Sequence, residues 1–556
     1  MISVLSFLGF TALVAIISYY ATRKTDENSS DGYFLGGRSL TAGVIAGSLL
    51  LTNLSTEQIV GLNGSAFSEG ILVMAWETLA AIAMVVTALY LLPKYLKSGL
   101  TTIPQFLEKR FDAQTKTLTS GLFLTGYVVV LLPTILYSGS LAISGMFNVP
   151  QLLGVSQQTA LWICVWSIGI IGSVYAVFGG LKAVAVSDTI NAIGLLIGGL
   201  LIPVFGLLII GDGSLIDGVA TLQADIPEKF NSIGGKTASV PFVTIFTGMM
   251  LVQLFYWGTN QQIIQRALGA KNLEEGQKGL LLGSFIKILG PLIVVLPGII
   301  AYYMSVNGML DVQAPDAAYG ELVKKVLPTE FIGFFAAVLF GAILSSFNSV
   351  LNSSVTLFGV DIYKAHINKT ADEKTIVKYG KLLGIFLAIG AMCIAPFLSD
   401  LDSIFQYLQR INGVYSIPIL TIIFVGFVTK RVPSIAAKIG LVSGSVMYII
   451  SEFFIRPNVV SKALENAQQQ GINSAEILKN IEADAYPHFL HIMAILFVLN
   501  TLIMLIIGRY FPNKVAYEQE FTHQVDISPW KHAKLSGFII VLIVLGVYIC
   551  FSSYLK

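Results

Sequence analysis

The sequence predicts an all-α integral membrane protein with about fourteen transmembrane helices. Three observations carry that prediction. Of 556 residues, 55% are hydrophobic and 12% charged, whereas soluble globular chains average about a quarter charged. Apolar stretches of spanning length, about 20 residues, recur along the whole chain, centred near residues 11, 52, 81, 133, 168, 200, 254, 290, 345, 388, 415, 445, 497 and 544. The loops between them alternate in charge.

The first stretch, about Ile2 to Tyr20, has no charged residue before it and no small-residue cleavage site, so it reads as a retained helix and not as a signal peptide. Basic residues follow every odd helix: Arg23, Lys24 and Arg38 after the first, Lys94 to Lys116 after the third, Lys182 after the fifth, and Arg266, Lys271 and Lys278 after the seventh. The pattern continues with Lys364 to Lys378 after the ninth, Lys430, Arg431 and Lys438 after the eleventh, and Arg509 and Lys514 after the thirteenth. Even loops are short and neutral, or mixed with acids. The rule that basic loops stay cytoplasmic puts both termini outside, in a multi-pass protein of the plasma (inner) membrane.

The second stretch carries Thr52, Asn53, Ser55, Thr56, Glu57 and Gln58 in its middle, and the seventh carries Gln253, Gly258, Thr259, Asn260, Gln261 and Gln262. Polar runs at membrane depth unwind a helix, and unwound backbone is tolerated there only where it lines a cavity. Two breaks that lie five helices apart match a five-plus-five inverted repeat with a broken first helix in each half, a LeuT-like plan that holds its solute at the midplane. Residues 1–40 are then an extra N-terminal helix and loop, 41–428 the inverted-repeat core, and 429–556 peripheral C-terminal helices.

Several function classes fall away. The net charge of +2 is spread over loops and gives no nucleic-acid footprint. Cys164, Cys393 and Cys550 lie in apolar segments and read as small buried hydrophobes. The five histidines have no metal-ligand spacing. No phosphate-binding loop, dinucleotide fingerprint, kinase set or metal motif is present, so no enzyme, no cofactor and no use of ATP is expected. An ion gradient remains as the driving force.

Glu77 and Lys287 each sit inside an otherwise apolar stretch, where a charge costs a few kcal/mol or more. With Asn53, Gln58 and Gln409 they offer carboxylate, ammonium and amide groups at comparable depth, a set that suits a polyol. The plainer reading is a buried Glu–Lys pair that locks helices. Ser345 and Ser346, with carbonyls freed by a helix break, could coordinate a hard cation; hydroxyls in membrane helices more often bond their own backbone. Tyr256, Trp257, Trp76 and Phe405 could stack on a sugar face or simply pack. Asp188, after Lys182, could line an ion exit path or cap the sixth helix. Asp361 and Tyr363 read as interfacial. Arg410 could pair Glu57 or meet an anion.

The strings TNLSTEQIVGLNGSAF from Thr52, TTIPQFLEKRFD from Thr101, VYAVFGGLKAVAVSD from Val174, FYWGTNQQIIQRALGAKN from Phe255, FGAILSSFNSVLNSS from Phe340 and FQYLQRINGVYSIP from Phe405 resemble the sodium/solute symporter family, most closely its sodium–sugar branch. The resemblance implies a sodium site of the Leu51, Leu54 and Ala342 carbonyls with the Ser345 and Ser346 hydroxyls. It implies a sugar site of Asn53, Gln58, Glu77, Lys287 and Gln409, with Gln253 replacing an asparagine of the branch. Tyr256 and Trp257 would form the inner gate, and Leu62, Trp76 and Phe405 the outer. Asp188 matches an acidic residue associated with sodium release. Ala80 stands where the branch has a serine, Trp76 takes a gate position held there by a tyrosine, and Arg410 is not expected from that branch. The function implied is sodium-coupled symport of a monosaccharide of the galactose or glucose type, with sodium as coupling ion and the bilayer as partner. The alternatives are symport of another polyol, symport of an anionic solute such as sialic acid, and a non-transporting membrane sensor. The short stretch after Tyr554 leaves the last without an output domain.

Overall fold

The computed structural model describes residues 2–22, 29–400 and 404–552. Arg23, Lys24 and Tyr554 lie outside the described residues. Among the described residues regular structure is helical, apart from one isolated β-bridge between Leu40 and Ala270. Eleven of these helices are long and apolar enough to cross a membrane, and the shorter apolar segments Leu5–Tyr20 and Ala42–Asn53 accompany them.

The first of those shorter segments belongs to α1 (Ile2–Thr22) and the second is α2 (Ala42–Asn53). α2 ends at the polar run: the Leu54 N–H donates back to the Leu50 carbonyl at 2.7 Å. Ser55 is then extended, with φ −80° and ψ 176°, and α3 (Thr56–Glu69) begins. Neither glycine nor proline stands at the break. Asn, Ser and Thr side chains compete with the helical ladder for backbone partners, and they are what the chain has there. A separate helix, α4 (Ala75–Val86), follows and carries Glu77 in its first turn.

Helical backbone then continues as α5 (Gln157–Ile210) across both the fifth and sixth apolar stretches, which form two candidate spans, Gln157–Val174 and Leu181–Ile210. It is not straight. Gly172 abuts Phe347 and Gly194 abuts Val338. On a straight helix the two glycines would be about 33 Å apart, but their partners are only about 14 Å apart on theirs. The chain therefore doubles back, as two separate spans require.

The seventh stretch is also interrupted. α6 (Gly248–Gly258) stops at Thr259, and Asn260 caps α7 (Gln261–Leu268). The Asn260 Oδ1 accepts the Gln262 N–H at 3.3 Å and the Tyr127 hydroxyl, so a distant tyrosine fixes the restart of the helix. Behind the two breaks stand α8 (Leu273–Val294), α9 (Thr329–Thr356) and α10 (Ile404–Val428), followed by α11 (Ser434–Ile449), α12 (Phe489–Tyr510) and α13 (Ala533–Cys550).

Bare glycines let α2 sit against its neighbours. A β-carbon on Gly47 would lie 2.9 Å from the Thr189 Cα on α5, and one on Gly279 would lie 2.7 Å from Ile45. Such close approach replaces the hydrophobic drive that is missing between helices in lipid. The outer faces are apolar: α13 exposes Leu535, Phe538, Ile539, Leu542 and Leu545.

Three expectations are corrected here. Cys164 is buried, but Cys393 and Cys550 are exposed on those outward faces, where lipid and not protein provides the apolar medium. Asp361 is not a free surface carboxylate. It is fully buried and accepts from the Thr102 hydroxyl at 2.9 Å and the Ser120 hydroxyl at 3.0 Å. Tyr363 is also buried, stacked 4.7 Å from Tyr379. Arg110, expected only as a loop charge, is buried and caps the end of α10, donating to the carbonyls of Gly426 at 3.0 Å, Thr429 at 3.0 Å and Val432 at 3.2 Å.

Candidate functional site

The two charges at membrane depth meet. Lys287 on α8 donates to the Glu77 carboxylate on α4 and to the Asn53 Oδ1 at the end of α2. Glu77 is 0% and Lys287 1% exposed. Gly290, one turn along α8 from Lys287, leaves no room for a β-carbon beside the Glu77 carboxylate. Gln58, in the first turn of α3, donates its Nε2 to Glu77 Oε1 at 2.7 Å. One carboxylate thus ties both sides of the first break to α8.

These contacts orient the amides. Asn53 spends its oxygen on Lys287, which leaves its NH2 as a donor; Gln58 spends its NH2 on Glu77, which leaves its oxygen as an acceptor. Both residues line a cavity of about 60 Å³ between the two breaks, room for a handful of waters. Trp76, Gln253, Tyr256 and Gln409 line it as well. Glu77 and Lys287 do not; they stand behind Asn53 and Gln58.

The same cavity takes in Glu57, Asn260, Gln262, Asn412 and Tyr415. Glu57 is buried and its Oε2 has no hydrogen-bond partner. The first three belong to the polar runs that marked the breaks. Asn412 and Tyr415, three and six residues on from Gln409 along the same helix, carry no such signal.

Aromatic contacts close the cavity. Trp76 and Phe405 meet edge to face, centroids 5.2 Å apart, and a smaller void of about 10 Å³ beyond them is lined by both, with Ser65, Ser239 and Phe489. Gly61 lets α3 approach Phe405, since a β-carbon there would lie 2.6 Å from the Phe405 Cβ. Leu62 is fully buried in the same cluster. Gln253 donates to the Trp76 carbonyl at 2.8 Å and so holds the backbone of that residue. On the other side Tyr256 meets Trp257 edge to face at 5.3 Å, and Trp257 is fully buried beneath the Lys287 ammonium, 5.8 Å from its ring.

Ser345 and Ser346 on α9 reach the broken end of α2. Ser346 Oγ donates to the Thr52 carbonyl at 3.1 Å, and the Thr52 hydroxyl lies 3.4 Å from Ser345 Oγ and 3.2 Å from Ser349 Oγ. Leu51, Leu54 and Ala342 are buried around this point. Oxygens of Thr52, Ser345, Ser346 and Ser349 therefore gather between α2 and α9, and the sequence marks Thr52 only as polar.

Asp188 lies well inside α5 and does not cap a helix. It accepts from the Ser48 hydroxyl at 2.6 Å and pairs with Arg266 at 3.7 Å, both charges being almost fully buried. Arg266, expected as a loop charge, also donates to Ser48 Oγ at 2.8 Å and to Ser349 Oγ. Arg410 meets neither Glu57 nor the cavity. It pairs with Glu452 at 2.7 Å, which also holds Arg456 at 2.9 Å. Successive helical residues point about 100° apart, so a helix that turns Gln409 inward turns Arg410 away.

A family model described as the sodium:solute symporter family matches residues 33–444. The chain is 43% identical to an uncharacterized symporter, YidK, of Escherichia coli (strain K12), over 98% of this chain and 90% of that one. It is 32% identical to the sodium/glucose cotransporter of Vibrio parahaemolyticus, over 81% of this chain and 85% of that one. Among solved structures, a Na+-coupled sialic acid symporter in a substrate-bound outward-open state superposes with a TM-score of 0.68 at 19% identity, over 90% of this chain and 98% of that one, a likeness of fold. These relatives are secondary transporters and not enzymes. The chain belongs to the sodium:solute symporter family.

Proposed function

We propose that this chain takes up a monosaccharide, of the glucose or galactose type or a closely related polyol, together with sodium by alternating access. The observation that carries the reading is the pair of oriented amides. Asn53 presents a donor and Gln58 an acceptor to one cavity, held so by Lys287 and Glu77, and a sugar hydroxyl needs both. The 32% identity to a sodium/glucose cotransporter supports the same class. Gln409 and Gln253 would add amide contacts, Tyr256 a stacking face, and Trp76, Phe405 and Leu62 the outer closure.

Sodium would sit between α2 and α9, on the carbonyls of Leu51, Leu54 and Ala342 and the hydroxyls of Ser345 and Ser346. An ion there would hold the broken helix in a solute-competent shape, so coupling is a difference in affinity between two states. The proposal includes fourteen spans, a five-plus-five inverted repeat within residues 41–428, peripheral helices in 429–556 and both termini outside. Asp188 would lie on the ion's way inward.

An anionic solute is the weaker reading. Arg410, its intended partner, is committed to Glu452, and the unpaired carboxylate oxygen of Glu57 lines the cavity. The test is uptake of labelled glucose and galactose into proteoliposomes with sodium or potassium outside. Sodium-dependent accumulation of either supports the proposal. Uptake of a carboxylated sugar, with neither hexose taken up, overturns it.

A further inference from the structure

A second cavity, of about 130 Å³, shares no lining residue with the first. It is bounded by α1, α5 and α9. Its mouth lies at Ala15 and Ile171, both exposed on the apolar outer surface. Its walls are mostly apolar, formed by Val14, Phe340 and Leu344, with Thr11, Ser187 and Asn191 also on the lining. Its floor is Asn348, whose side chain is 0% exposed and whose Nδ2 and Oδ1 both lack a hydrogen-bond partner.

A buried polar atom left without a hydrogen-bond partner is destabilising, and both polar atoms of the Asn348 amide are in that position. A water at the floor would find polar partners in Asn348, Ser345, Ser187 and Asn191, but it would leave the apolar walls beyond it without an occupant. We infer that the cavity is a binding site for a small amphipathic molecule that enters from the bilayer. Such a molecule has an apolar body and one terminal group that both donates and accepts, a primary alcohol or a primary amide. The alcohol or amide would pair with Asn348 and the chain would fill the apolar walls. Ser345 also borders the cavity, so an occupant would touch the back of the proposed sodium site. That consequence rests on the function proposed above; the binding itself does not.

The test uses the purified full chain in detergent, photolabelled with an octanol that carries a diazirine on its chain, with adducts mapped by mass spectrometry. Adducts are expected on the facing parts of α1 and α9, competed by plain octanol and octanamide but not by octane. Asn348→Leu should weaken competition about tenfold, the loss of two modest hydrogen bonds. Ala15→Phe, which narrows the mouth on a different helix, should lower labelling as well and decides the matter if the first variant does not fold. Adducts spread over the whole outer surface, competed equally by octane and unchanged in both variants, would overturn the inference and leave water or a lipid chain as the occupant.

Discussion

Lys287 and Glu77 touch each other behind the cavity that Asn53 and Gln58 line and not across it, and they set which amide atoms of those two residues face it. In the proposed solute site they are positioning residues. Removing one partner of a buried ion pair costs about 3–5 kcal/mol, because the other is left uncompensated, whereas replacing both with apolar groups often costs little. Glu77→Gln should therefore destabilise the protein strongly. Adding Lys287→Met should recover most of that loss without recovering solute affinity, since the amides lose their held orientation. Thermal unfolding in detergent, paired with uptake kinetics, checks both halves, and strictly additive stability losses would show that the pair is uncoupled.

Gln409 faces the same cavity from α10. Gln409→Ala should leave the unfolding midpoint nearly unchanged and raise the sugar concentration for half-maximal uptake about tenfold, the loss of one or two hydrogen bonds. The concentration dependence of uptake at saturating sodium reads this directly. An unchanged half-saturation point removes Gln409 from the site.

Ser346 bonds the Thr52 carbonyl at the end of α2. If sodium competes for these oxygens, Ser346→Ala should raise the sodium concentration for half-maximal uptake about tenfold, with little change in sugar affinity once sodium is saturating. Sodium titrations at fixed sugar distinguish this from a sugar-site defect. A variant with ordinary sodium dependence and weak sugar binding would sink the assignment of the ion to α9.

The features legible in the sequence were those announced by a mismatch with their surroundings. Polar runs in apolar stretches marked both breaks, and lone charges marked Glu77 and Lys287. The direction of a side chain was not legible. Arg410 and Gln409 are neighbours in sequence and face different partners, and only the packing of α10 against the segment that holds Glu452 decides which faces where. Asp361 looked interfacial because its hydroxyl partners, Thr102 and Ser120, come from distant segments. Asn348 sits in a run of serines and asparagines that reads as ordinary helix polarity, and only the cavity shows that its amide is unpartnered.

The short helix α7 is buried along its whole length although it carries three glutamines and an arginine. Gln265 explains how. Its Nε2 donates to the Phe34 carbonyl at 2.8 Å, to Asn352 Oδ1 at 3.1 Å and to Thr356 Oγ1 at 3.1 Å, while its oxygen accepts from Ser353 Oγ at 3.0 Å and from Gln261 Nε2 at 3.2 Å. Gln261 in turn accepts the Ile103 N–H at 2.9 Å. The second half of the broken seventh helix is thereby pinned to the N-terminal segment, to the loop before Ile103 and to α9. Under the proposed alternating access, solute leaving past Tyr256 on this side would have to part those contacts, and water would satisfy the freed groups once it entered. Gln265→Leu leaves Asn352, Ser353 and Thr356 short of a partner only while the helix is packed, so it penalises the closed arrangement alone. One lost bond of about 1.4 kcal/mol is a tenfold shift in population. A cysteine at Ala267, fully buried on α7, in a chain with Cys164, Cys393 and Cys550 replaced, should then react with a water-soluble maleimide about tenfold faster in the Gln265→Leu background. If the rate does not change, the glutamine network holds the fold together without setting the gate.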